Sequence, residues 1–327
     1  MDIVNYLKEK IKKEDLKTIV FPEGENLFII DAALELRRHQ LVNPILLGRT
    51  DEILEKMKSK GASIKDIRIM NPHTEDTLDY YIKKYCAQRM MPEAVGKKII
   101  PQPLYFSAMM VKEGVAHGMV AGINHPTEEV IMASELIFGL QEDIHVPSSF
   151  YLLDIPGFKG DQKNLLVFAD PSINPDPSPQ ELADIAYATA LSTENLLGWE
   201  PKLAFLSFST KGSANHPCVT KVKEAMEILN KKKCHFLYDG ELQADAAINE
   251  TIGNKKTKGS SLVAGKANIL IFPNLDACNI SSKLVQQLAH AKFYGPILQG
   301  FNYPVSDLSR GATVEDILGT ALITATK

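Results

Sequence analysis

Cysteine is scarce and scattered in this sequence. The 327 residues hold 4 of them, Cys86, Cys218, Cys234 and Cys278, with no CxxC spacing and no neighbouring histidine pair. That argues against a zinc site and against a disulfide framework. Cys218 follows His216-Pro217, so a Cys–His nucleophile stays open beside the reading of four idle thiols. No run approaches the ~18 apolar residues of a membrane-spanning helix, and the start, MDIVNYLKEKIKKEDLK, carries no apolar leader segment. A soluble, cytoplasmic protein is expected. A surplus of one charge is lacking too: 36 basic and 40 acidic residues leave a net charge of −4. No broad field is offered to nucleic acid or to an acidic membrane, and neither is expected as a partner. No glycine fingerprint G-x-G-x-x-G and no G-x-x-x-x-G-K-[ST] occurs, which argues against a nicotinamide dehydrogenase and against a P-loop protein.

What is present is an alternation of extended and helical patterns over a length suited to one large or two medium domains. A strand over 18–21, a helix over 27–36, a strand over 44–47 and a helix over 51–60 closed by Gly61 read as βα units on a largely parallel sheet. Residues 115–122, VAHGMVAG, read as a central strand that opens into Gly122-Ile123-Asn124-His125 before a helix from Thr127. His125 and Thr127 therefore stand at a strand-to-helix junction, where a histidine is either a hydrogen-bonded loop residue or a catalyst. Two strands, 149–155 and 165–170, have only a turn between them, which predicts an antiparallel hairpin and a change of domain. A long helix over 179–197 and a strand over 202–209 follow.

Several loops carry chemical groups with two readings each. The two glutamates of PEGEN, Glu23 and Glu25, suit a substrate or metal, or simply the start of the next helix. Lys83, Lys84 and Arg89 in YYIKKYCAQR suit a phosphate, or form the solvated face of a helix. The loop SFSTKGSANHP, ahead of a helix from Pro217, can cradle a phosphate with backbone amides. Asp239, Glu241 and Asp245 suit magnesium or plain turn and capping duties.

The most equipped stretch is 294–316, YGPILQGFNYPVSDLSRGATVED. A buried strand around Pro296-Ile297-Leu298 gives way to a polar loop bearing Asp307, Ser309, Arg310 and Asp316. Val314, Ile317, Leu318, Ala321 and Leu322 then mark the apolar stripe of a helix. Thr313 is its N-cap and Asp316 its third residue. A hydroxyl, a guanidinium and a carboxylate at a helix N-terminus suit an anionic ligand. The same residues also suit a capping pair and a surface ion pair.

In order, PEGEN, LSFSTKGS..HP, DGELQ.DAA, GKANILIFPNLDA.N and YGPILQG......DLSRG...ED resemble the phosphate acetyltransferases, over nearly the whole chain and most densely from Asp170 onward. The resemblance implies two α/β domains with largely parallel sheets flanked by helices and an active-site cleft between them, in the manner of the isocitrate and isopropylmalate dehydrogenases. The expected domains are 1–145 with 298–327, and 146–297. It also implies a homodimer, no tightly bound cofactor, no metal, and transfer of an acetyl group between phosphate and coenzyme A in a ternary complex.

By that resemblance Ser309 orients reacting groups, Arg310 holds phosphate, and Asp316 takes the thiol proton. His125, Thr127, Lys84, Tyr294 and Gly295 are the expected substrate-binding residues. A thiol near 8.5 and an aspartate near 3.9 make direct proton transfer uphill by on the order of 6 kcal/mol. Either Asp316 is raised, or Arg310 and the helix end stabilise the thiolate.

Two positions depart from the family pattern. Lys83-Lys84 stands for an Arg-Lys pair, and Met132 falls where H-x-T-x-D-x-x-R-P has its arginine. Lysine keeps the charge without the fork, and Met132 keeps neither. A longer acyl group in the same chemistry, or a weakened relative that binds acyl-coenzyme A as a regulator, are the alternatives.

Overall fold

The computed structural model describes residues 3–11, 15–63 and 67–327. The chain forms two compact units, one of Leu140–Gly300 and one in which the residues up to Gly139 are joined by Phe301–Lys327.

In the unit that begins the chain, α1 (Ile3–Ile11), β1 (Thr18–Phe21), α2 (Leu27–Arg38), β2 (Asn43–Leu47), α3 (Thr50–Ser59) and β3 (Arg68–Met70) follow in turn. Three helices, α4 (Leu78–Arg89), α5 (Glu93–Ile99) and α6 (Pro103–Lys112), lead to β4 (Gly118–Ala121) and α7 (Thr127–Ile137). The four strands are short apolar runs, and β1, β2 and β4 are buried almost throughout, as a parallel sheet covered on both faces requires.

The other unit holds β5 (Ser148–Asp154), β6 (Leu165–Ala169), α8 (Pro179–Leu197), β7 (Lys202–Leu206), α9 (Pro217–Lys231) and β8 (Leu237–Leu242). It continues with α10 (Ala244–Ile248), α11 (Glu250–Thr257), β9 (Ile269–Ile271), α12 (Leu275–Ala289) and β10 (Lys292–Gln299). Its sheet has the order β10-β5-β6-β9-β7-β8. The β10–β5 and β5–β6 pairs are antiparallel and the rest parallel. The short turn between β5 and β6 dictates the antiparallel hairpin. Helix α8 starts with a Ser178–Glu181 capping box and Pro179, and ends at Gly198 with φ +66°, so both ends are written in the sequence.

The chain then returns to the first unit with β11 (Val305–Asp307) and α13 (Val314–Ala325). Strand β11 joins the parallel sheet beside β4, giving the order β11-β4-β1-β2-β3. The sequence pattern reads residues 300–313 as one polar loop, whereas Val305, Ser306 and Asp307 form a fully buried strand. Three residues, two of them polar, show no alternation. Pairing with β4 and cover by α13 create the strand. Asp307 is therefore a strand residue and not a loop one.

Candidate functional site at the ends of β1, β4 and β11

Three neighbouring parallel strands, β1, β4 and β11, carry the polar groups of the first unit at their carboxyl ends. Just beyond β1, Glu23 is buried, and its carboxylate accepts four backbone amides from the loop that follows β4. Oε2 takes Gly122 and Ile123 at 2.9 and 3.1 Å, and Oε1 takes Asn124 and His125 at 2.6 and 2.9 Å. Such a bouquet of donors is the anion-binding nest of a loop filled by the protein's own side chain. Asn26, the N-cap of α2, adds a bond of 3.1 Å to Asn124.

Glu25 serves a different neighbour, accepting the amide and the Nε of Arg49 at 2.9 and 3.1 Å. Burial works to raise its pKa, but the Arg49 hydrogen bonds and charge outweigh it and hold the carboxyl below its usual range. The PEGEN glutamates are thus fasteners. Among the described residues there is no group of three or more His, Cys, Asp or Glu side chains that could hold a metal.

At the end of β11, Asp307 is 1% exposed. Its Oδ2 accepts the hydroxyl of Thr127, the first residue of α7, while Oδ1 has no hydrogen-bond partner among the described residues. Burial raises this carboxyl, the bond from Thr127 and the nearby Leu308 amide lower it, and the Glu23 charge raises it again, leaving it at about 7. Gly122 makes room for it: with φ +114°, a Cβ there would stand 2.1 Å from Asp307 Oδ1. His125 meets Glu129, one turn into α7, at 2.7 Å.

Leu308 bonds back to Ala121 on β4 at 2.7 Å, and the chain then emerges. Ser309 and Arg310 are exposed. The Ser309 hydroxyl accepts the Gly311 amide at 3.3 Å and its carbonyl accepts Ala312 at 2.9 Å, which folds the segment into a turn. Arg310 forms no ion pair or hydrogen bond with any described residue. Thr313 and Asp316 make a capping box at the start of α13. Asp316 Oδ2 accepts the Thr313 amide and hydroxyl at 2.9 and 2.8 Å, and the Asp316 amide returns a bond of 3.2 Å to the Thr313 hydroxyl. Of the two readings of this pair, capping is met in full, and it leaves Asp316 Oδ1 unengaged by any described residue.

Ser309, Arg310 and Asp316 follow β11, His125 and Thr127 follow its sheet neighbour β4, and the Thr127–Asp307 hydrogen bond links the two segments. Lys84 lies elsewhere, on α4, where Glu113 takes its ammonium together with the Tyr80 hydroxyl at 3.1 Å. Those two hydrogen bonds raise its pKa well above the usual lysine value. Arg89 donates to the carbonyls of Glu135 and Leu136 at the end of α7, at 2.8 and 2.9 Å. Tyr294 and Gly295 belong to β10 in the other unit, at a bulge where Gly295 adopts φ +121°.

In that second unit the remaining polar loops are tied internally. Glu241, on β8 and buried, accepts Ser209 Oγ and the Gly212 amide at 2.8 and 2.7 Å. Asp245 pairs with Lys256 at 2.8 Å. His216 is the N-cap of α9, its Nδ1 accepting the Cys218 amide at 3.2 Å, which explains the His-Pro-Cys sequence by capping. The residues that sequence reasoning passed over are Glu23 as loop organiser and Asp307 as a buried partner of Thr127. A glutamate after a strand and a glycine-rich strand end were the available signals.

A parallel α/β sheet whose strand ends present an unpaired guanidinium, a hydroxyl and a half-engaged carboxylate defines a protein that handles anionic substrates. Comparison with known proteins narrows the class. Residues 2–325 match the phosphate acetyl/butaryl transferase family. The chain is 39% identical to a phosphate acetyltransferase of Clostridium acetobutylicum, covering 99% of this chain and 98% of that one. It is 36% identical to one of Bacillus subtilis, with 99% and 98% covered. A solved phosphotransacetylase from Streptococcus pyogenes matches with a TM-score of 0.92 at 38% identity, over 99% of this chain and 97% of that one. The chain belongs to the phosphate acetyl/butaryl transferase family.

Proposed function

We propose that the chain is a phosphate acetyltransferase, moving an acetyl group reversibly between phosphate and coenzyme A. The coenzyme A sulfur attacks the carbonyl carbon of acetyl phosphate, a C–S bond forms, the C–O bond to phosphate breaks, and inorganic phosphate leaves. The thiol proton passes to Asp316 at Oδ1, the oxygen the capping box leaves over. Ser309 accepts a backbone amide and so keeps its own proton to donate to the carbonyl oxygen, where negative charge develops. Arg310 pairs with the phosphoryl oxygens as a fork. The observation that carries the reading is this exposed Ser309-Arg310 turn, directly followed by a helix start that orients a carboxylate. Arg310 and the α13 N-terminus stabilise the developing thiolate while Asp316 receives its proton.

Coenzyme A is a substrate in this scheme, and no tightly bound cofactor or metal is required. His125 and Thr127 flank the substrates, and Tyr294 and Gly295 are further candidates for substrate contact. The protein acts as a cytoplasmic homodimer, supported by α12, whose Ile280, Leu284 and Leu288 are 58, 53 and 79% exposed at successive turns. Such an apolar stripe is characteristic of an association surface.

The test is thioester formation from coenzyme A and a series of acyl phosphates. Acetyl phosphate is expected to turn over fastest, with large losses in Ser309→Ala and Asp316→Asn. Preference for a longer acyl phosphate would replace the acetyl assignment. Binding of acetyl-coenzyme A with no turnover at all would sink the enzymatic reading.

A further inference from the structure

The groups assigned to the transfer hang on a short exposed turn, and something must hold that turn in register with the β4–α7 junction. Asp307 stands between them, two residues before Ser309. Its Oδ2 takes the Thr127 hydroxyl, and its Oδ1, without a partner among the described residues, faces Gly122. A purely structural link across two strands is well served by a neutral side chain. A buried carboxylate with one oxygen unsatisfied is costly and calls for an explanation.

Glu23 supplies half of it. The loop over residues 122–125 is gripped from one side by the four amide bonds to Glu23, while Gly122 and, just beyond the loop, Thr127 meet Asp307. The two carboxylates therefore bracket one short segment. When both are charged they repel across it, and when Asp307 holds a proton they do not.

Resting on the functional reading above, we propose that Asp307 is a positioning residue for acyl transfer. Acting through Thr127 and Gly122, it registers the β4–α7 junction against the turn of Ser309 and Arg310, and its protonation resets that register. Burial together with the Glu23 charge brings its titration to about 7. Other charges sit on the elements packed around it. His125 pairs with Glu129, beside Glu128 in the first turn of α7. Arg310 follows β11, Glu315 and Asp316 open α13, and Lys327 beyond α13 donates to the Val305 carbonyl at 3.0 Å. Of all these, Glu23 is the charge that shifts Asp307.

The experiment compares wild type, Asp307→Asn, Thr127→Val and Thr127→Ser, measuring kcat and KM for acetyl phosphate and coenzyme A from about pH 5.5 to 9. Wild type is expected to show an inflection in kcat near neutrality. Asp307→Asn should flatten it and lower kcat by roughly tenfold to a hundredfold with KM changed less than about threefold. Thr127→Val should lower kcat alike, and Thr127→Ser should restore it.

Hydrogen exchange over residues 122–129, corrected for intrinsic rates, is followed alongside. A step in protection near neutrality, present in wild type and absent in Asp307→Asn, is expected. Wild-type inactivity with the exchange step intact would overturn the functional reading alone. An unchanged kcat profile in Asp307→Asn, or an exchange step that survives it, or a Thr127→Val enzyme as fast as wild type, would overturn the role of Asp307.

Discussion

Asp316 and Thr313 hold each other by reciprocal hydrogen bonds, so the carboxylate assigned to the thiol proton is also the one that starts α13. The two duties fall on different oxygens and can be separated. Asparagine at 316 keeps an oxygen for the Thr313 donors but cannot take a proton. Asp316→Asn should therefore unfold at nearly the wild-type temperature while losing roughly a hundredfold or more in kcat. Asp316→Ala should add a stability loss of about 1 kcal/mol from the missing cap. Thermal melts beside turnover assays decide it, and an Asn variant that melts like the Ala variant would contradict the split.

Glu23 meets four amides with two oxygens. Glutamine in its place offers one acceptor oxygen and points an NH₂ group at two amide donors. With buried donors left unsatisfied, Glu23→Gln should cost about 2–4 kcal/mol and lower Tm by roughly 5–15 °C. The loop would loosen with it, so KM should rise as well. Calorimetry and steady-state kinetics are the checks. A melting temperature within a degree of wild type would mean that the nest is not a structural anchor.

Much of this architecture is legible in sequence because local signals and burial agree. The run TIVF, the turn between β5 and β6, and the capping residues Ser178 and Thr313 each point the same way as the final fold. The site is legible where it is contiguous, from Ser309 to Asp316. It is not legible where distant segments meet. Nothing in PEGEN says that Glu23 accepts amides about a hundred residues away. Nothing in VSD marks β11, whose burial comes from β4 and α13. Lys84 and Arg89 look equivalent as surface cations, yet one pairs with Glu113 and the other caps the end of α7.

The titration of Asp307 sets a sign for stability against pH. The unfolded aspartate titrates near about 3.9, and the folded one at about 7. The folded state thus holds the proton more tightly, and the contribution is fully present below about pH 4 and lost as pH rises through about 7. The loss is at most on the order of 4 kcal/mol. Asp307→Asn has no such proton, so its urea midpoint relative to wild type should improve between pH 5.5 and pH 8.5, conditions chosen to bracket the titration at about 7. Equal differences at both values would place the pKa of Asp307 elsewhere.

Met132 is 49% exposed on α7, at the place where the resemblance to the family pattern implies an arginine. Two cations of the α4 stretch are engaged by other partners. Lys84 is held by Glu113 and Tyr80, and Arg89 by the Glu135 and Leu136 carbonyls. Read through that resemblance, the chain would lack one charge-assisted contact to a phosphate-bearing substrate, about 1.5–3 kcal/mol. Restoring it by Met132→Arg should lower KM for coenzyme A or acetyl phosphate by roughly tenfold to a hundredfold, since 1.4 kcal/mol is about a factor of ten. A contact formed equally in the ground and transition states would leave kcat within about threefold. An increase in kcat at constant KM would instead place the arginine at the reacting carbonyl. No change in either constant would mean that this face of α7 does not meet the substrates.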